Sequence, residues 1–64
     1  MKVIILDKKD NKEVKKQFNN VWECRDEGDG MFIIKFHNHL CHRYPFDQIK
    51  ILEISKDVNN ETYL

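Results

Sequence analysis

The apolar positions of the chain fall in short runs cut by polar clusters, a spacing that belongs to strands and tight turns. Val3 to Leu6 is a β-branched run, and the polar cluster Asp7 to Lys12, centred on Asp10-Asn11, predicts a turn into the next segment. From Glu13 to Cys24 two periods compete. Val14, Phe18, Val21 and Trp22 fit helical spacing, while Val14, Lys16 and Phe18 also fit a strand with one apolar face. Asn19-Asn20 is unfavourable in mid-helix and readily bends, so the segment reads as a strand to Phe18, a kink, and a strand from Val21 to Asp26.

Glu27-Gly28-Asp29-Gly30 is the clearest punctuation, because both glycines accept positive φ without steric cost. Met31 to His37 follows as a strand, Asn38-His39 as a two-residue turn with Asn suited to a left-handed conformation, and Leu40 to Tyr44 as the returning strand. Pro45 to Gln48 predicts one short helical turn before a last strand, Ile49 to Ser55. The expected fold is all-β: a small five- to six-stranded barrel or rolled antiparallel sheet, with that turn near residues 45–48. Residues 1–56 form the single domain, and 57–64, polar up to Tyr63-Leu64, read as a flexible or docking tail. The layout of residues 3–55 resembles SH3-like and Sm-like small barrels, a likeness of element order that implies a fold and no activity.

Register follows from the turns. A Gly28-Asp29 turn places Cys24 opposite Ile33 and Trp22 opposite Lys35; an Asn38-His39 turn places Phe36 opposite Cys41 and Lys35 opposite His42. Phe32, Ile34 and Phe36 then share a face with Val21 and Cys41, and Met31, Ile33, Trp22, Leu40 and Tyr44 share the other. With both faces apolar in a 64-residue chain, the second face is expected to meet a partner, which makes a homo-oligomer the expected state. Trp22 and Tyr44 are residue types that anchor interfaces.

Charge changes this picture locally. Eleven Lys and Arg balance eleven Asp and Glu, so no overall field draws the chain to nucleic acid or anionic lipid. Residues 1–18 nevertheless carry six Lys against three acids, and residues 19–30 one Arg against four acids. Lys8, Lys9, Lys12, Lys15 and Lys16, with Phe18 or Trp22 as a stacking platform, would serve a nucleic-acid-binding barrel. They also read as solvated edge-strand lysines. Glu23, Asp26, Glu27 and Asp29 form an acidic turn beside Trp22, suited to a basic surface on a protein partner.

Candidate chemistry is thin. His37, His39, Cys41 and His42 with Cys24 invite a zinc-stabilised domain, but there is no Cys-x-x-Cys pair. The expected register also puts the two cysteines on opposite faces and His42 two strands from Cys24, roughly 10 Å by strand spacing. Cys41 and His42, as neighbours on a strand, point apart, which denies a thiol its base. The reading is therefore of no enzyme, no metal and no cofactor. The opening apolar run is too short for a membrane span or signal core, so a cytoplasmic location with reduced thiols is expected.

The small size, the Lys-, Asn- and Ile-rich wording and the solitary β-domain layout resemble accessory proteins of phages and mobile elements of low-GC Gram-positive bacteria. That resemblance implies a protein that binds and disables one host protein, a defence or transcription component. The leading expectation is a non-enzymatic protein-binding module contacting its target through Trp22, Tyr44 and the acidic turn. A nucleic-acid-binding barrel and a zinc-stabilised domain are the alternatives.

Overall fold

A computed structural model describes residues 1–56. Six strands appear: β1 (Lys2–Asp7), β2 (Val14–Phe18), β3 (Val21–Asp26), β4 (Met31–Phe36), β5 (Cys41–Pro45) and β6 (Ile49–Ser55). They form two antiparallel three-stranded sheets, β2-β1-β6 and β3-β4-β5. The all-β expectation holds at that level. The ladders run within each sheet, and among the described residues none joins the two, so the architecture is a pair of facing sheets. The expected tail, with Tyr63 and Leu64, lies outside the described residues.

The most apolar runs became the central strands, where a strand is covered by neighbours on both sides. In β1, Val3, Ile5 and Asp7 point inward and Ile4 and Leu6 outward. In β4, Phe32 and Ile34 point inward. Val3, Ile5, Val21, Phe32, Ile34 and Ile49 make one core between the sheets. Phe18, Phe36, Tyr44, Phe46 and Ile51 pack around it. Burying each such side chain contributes roughly 1.5–3 kcal/mol before chain entropy is charged against it.

The turns explain the strand ends. Asp10 and Asn11 adopt left-handed φ of 56° and 62°, a conformation that Asp and Asn tolerate better than most residues, and this closes the β1-β2 hairpin. Phe46–Gln48 is the expected short 3-10 turn. It is pinned at one end by the Phe46 amide, which donates to the Gly30 carbonyl at 2.8 Å. The Phe46 ring lies 5.5 Å from Phe32. The kink at Asn19-Asn20 passes the chain from one sheet to the other. The sheets are also joined where the Val21 amide donates to the Met1 carbonyl at 3.3 Å.

Both hairpins of β3-β4-β5 depart from the expected register. Glu27 donates to the Met31 carbonyl at 3.0 Å, so Gly28, Asp29 and Gly30 form a three-residue loop, with both glycines at positive φ. Phe36 donates to the Leu40 carbonyl at 2.9 Å, making His37, Asn38 and His39 a second three-residue loop. There His39 alone, at φ 72°, takes a left-handed conformation, while Asn38, the residue better suited to it, does not. The Asn38 side-chain oxygen instead accepts from the Leu40 amide at 3.2 Å.

The resulting pairs are Cys24 with Ile34, Ile34 with His42, Lys35 with Cys41, and Phe32 with Tyr44. Tyr44 therefore turns to the core face and Cys41 to the outer face, the reverse of what the two-residue turns imply. Val21 pairs with Phe36 as expected, because a β-bulge at Trp22 shifts the register back.

Candidate functional site

The β-bulge makes Trp22 and Glu23 together oppose Lys35, which leaves both on the outer face of β3-β4-β5. Trp22 is 60% exposed, and its ring stacks on His37 at 5.9 Å. Leu40, also 60% exposed, stands across from it at the end of the β4-β5 loop. Between them an open groove of about 340 Å³ is lined by Trp22, Glu23, Lys35, Phe36, Leu40 and Cys41, with His39 at its rim. Two large apolar side chains facing one recess is the feature of this surface that solvation alone does not account for.

The remaining partners expected for Trp22 are elsewhere. Tyr44 is half-buried on the inner face, beneath the Lys16 ammonium at 5.7 Å. Among the acids, Glu23 lies 3.8 Å and Glu27 3.4 Å from Arg25, and Glu27 also lies 3.8 Å from Arg43. Arg25, Ile33 and Arg43 form one row across the sheet, so the Glu27 carboxylate bridges the two arginines that flank Ile33. Between the two arginines of this row Ile33 is 2% exposed. The apolar outer face is thus largely closed within the single chain, and Trp22 with Leu40 is what it leaves in solvent. Asp26 accepts from the Gly28 amide at 2.7 Å and shapes its own loop, while Asp29 is exposed at the tip.

The lysines are likewise divided. Lys8, Lys9 and Lys12 are exposed around the β1-β2 loop, and Lys15 faces outward in a row with Leu6 and Lys50. Lys16 points inward and bonds Asp7 at 3.0 Å. Asp7, 4% exposed, also accepts from Gln48 at 3.0 Å. The hydrogen bond from Gln48, then that from Lys16, hold its carboxyl below the ordinary range, and the bond to Asp7 in turn raises the Lys16 pKa. This is a structural tie between β1, β2, β5 and the 3-10 turn. Phe18 is half-buried against Phe36 at 5.6 Å and His42 at 5.7 Å. Trp22 is on the opposite sheet from the lysines.

Cys24, Ile34 and His42 occupy one row, with His42 two strands from Cys24 and in line with it. Cys41 is on the other face, exposed in the groove. No group of three or more His, Cys, Asp or Glu side chains able to hold a metal ion occurs among the described residues. Burial, and then the nearby Glu23 charge, push the Cys24 thiol up, which disfavours its thiolate. Among the described residues no helix is long and apolar enough to cross a membrane.

The expected register already puts Trp22 opposite Lys35 and on one face with Leu40, and the groove brings these three together, although through a bulge and three-residue loops that the sequence does not announce. Comparison with protein-family models, with characterised proteins and with solved structures returns no match to any of the three.

Proposed function

We propose that the chain is a non-enzymatic protein-binding module that takes its partner in the groove between Trp22 and Leu40. The observation that carries this reading is the groove itself, in which a bulged indole on the outer face stands opposite a second exposed hydrophobe. Bulges recur where a side chain has to be re-aimed for a function, and Trp is the residue type most enriched among interface anchors. The role implied by the compositional likeness, inhibition of a host defence or transcription protein in the cytoplasm, fits a module of this kind. Ile33 is covered within the chain, which leaves the groove as the part of that face open to a partner, here taken to be a different protein.

The test uses wild-type protein and the double variant Trp22→Ala, Leu40→Ala as parallel baits in a bacterial lysate, after checking that both melt cooperatively. The expected result is a protein retained by the wild type and lost by the variant. Identical retention on both baits would place binding elsewhere on the molecule.

A further inference from the structure

The charges around the groove specify what kind of partner segment it fits. Glu23, Lys35 and Cys41 form one row across its floor. Lys35 is half-buried there, and among the described residues no carboxylate comes within ion-pair distance of its ammonium. Its nearest candidate in the row, Glu23, is turned toward Arg25 at 3.8 Å. The other polar groups at the recess are the imidazoles of His39, at the rim, and His37, stacked on Trp22. Each is a potential N–H donor. The site therefore combines apolar walls, an acid already committed and a cation that is not.

We infer that the groove takes a peptide segment of a partner protein in which an apolar side chain stands next to a carboxylate. The apolar side chain would lie between Trp22 and Leu40, and the carboxylate would pair with Lys35. With no carboxylate beside Lys35 among the described residues, an incoming carboxylate supplies a charge-assisted hydrogen bond where the structure makes none. A basic segment would bring like charge against Lys35 and be rejected. The inference rests on the groove being the binding surface and adds the chemistry of its ligand.

The chain's single tryptophan is Trp22, so its fluorescence reports occupancy of this groove directly. The full chain is titrated at low salt with two end-blocked peptides, Gly-Glu-Leu-Leu-Glu-Gly and Gly-Lys-Leu-Leu-Lys-Gly. The acidic peptide should bind more tightly by about two- to fivefold, the scale of one partly exposed ion pair. Lys35→Gln should abolish the preference and Lys35→Glu should reverse it, with each variant first shown to melt as the wild type does. Equal binding of both peptides would overturn the charge specificity while leaving the groove as a binding surface. No response to either peptide would overturn the ligand assignment, and the parallel-bait experiment would then decide the groove by itself. An emission shift on raising protein concentration alone, before peptide is added, would make the occupant a second copy of this chain and also overturn the inference.

Discussion

The two sheets share a plan and differ in what they do with their outer faces. Each has a central strand of mainly apolar residues, and each has one edge strand carrying a bulge with a large exposed hydrophobe followed by a glutamate: Trp22-Glu23 in β3 and Leu52-Glu53 in β6. In β2-β1-β6 the inner face carries the polar tie of Asp7, Lys16 and Gln48, and the outer face is a lysine-rich surface around Ile4 and Leu6. In β3-β4-β5 the inner face is apolar and aromatic, and the outer face carries the arginine-glutamate roof and the groove. A bulge in itself is therefore no sign of a site, since it also blunts an edge against unwanted pairing. At Trp22 it is accompanied by a stacked imidazole, a facing leucine and a lysine with no carboxylate partner among the described residues, and among those residues no such set surrounds Leu52.

The largest expected effect tests whether the two sheets depend on one core. Ile5 and Ile34 are fully buried at matching places in the central strands β1 and β4. Replacing either by Ala should cost about 2–5 kcal/mol, a large share of the roughly 5–15 kcal/mol available to a natural domain. If the core is common, urea melts followed by Trp22 fluorescence, which reports one sheet, and by far-ultraviolet circular dichroism, which reports both, should shift together in each variant. Separate transitions, with Ile5→Ala sparing the Trp22 signal, would show two sheets of independent stability.

The difference in polar design should appear next, as a pH dependence assigned to one sheet. Hydrogen bonds from Gln48 and Lys16 hold the Asp7 carboxyl below its ordinary value of 3.8, so between the two values the unfolded chain binds more protons than the folded one. The stabilisation is complete above the ordinary value and is lost as pH falls through the lower, folded one. Lys16 has the opposite sense: raised above 10.5 chiefly by its bond to Asp7, it stabilises the fold below that value and ceases to as pH rises through the folded one. Asp7→Asn should lower the melting temperature at neutral pH and flatten the acid limb of its pH profile. Glu27→Gln, which breaks exposed pairs over Ile33, should move stability by no more than about 1 kcal/mol. Equal acid limbs in wild type and Asp7→Asn would remove the tie as the source of the contrast.

The same contrast shows how much was readable from residues alone. Strand positions and the 3-10 turn were legible because they follow from local preferences: β-branched runs, Asp10-Asn11, the glycine pair and Pro45. Facing was not, because it depends on whether a loop holds two residues or three, and one residue inverts every side chain beyond it. In the β3-β4 hairpin two departures cancel, the longer loop and the bulge, so Val21 and Trp22 face as expected while Cys24 does not. The β4-β5 hairpin has no compensating bulge, so Tyr44 and Cys41 exchange faces. Of the candidate surface, the expected register already put Trp22 opposite Lys35 and on one face with Leu40, whereas the bulge and the three-residue loops through which they meet were not readable from local residues.

The smallest effect on stability is expected at the two bulges, and it separates blunting from binding. Trp22 and Leu52 are both exposed, so truncating either to Ala removes little buried area. Leu52→Ala should stay within about 0.5 kcal/mol of wild type, the usual range for a surface substitution. Trp22→Ala also loses the stack on His37, an interaction of roughly 0.5–1.5 kcal/mol when well packed, and with 60% of the residue in solvent the lower end applies. Both variants should keep the β-type circular dichroism. If the bulges serve only to protect edges, the side chain at the extra position is interchangeable and neither substitution affects partner retention. If the β3 bulge exists to aim an anchor into the groove, Trp22→Ala abolishes retention at almost unchanged stability while Leu52→Ala leaves it intact. A large fall in melting temperature for Trp22→Ala would contradict the exposed placement of the indole, and equal loss of retention in both variants would show that the surface is shared by the two sheets.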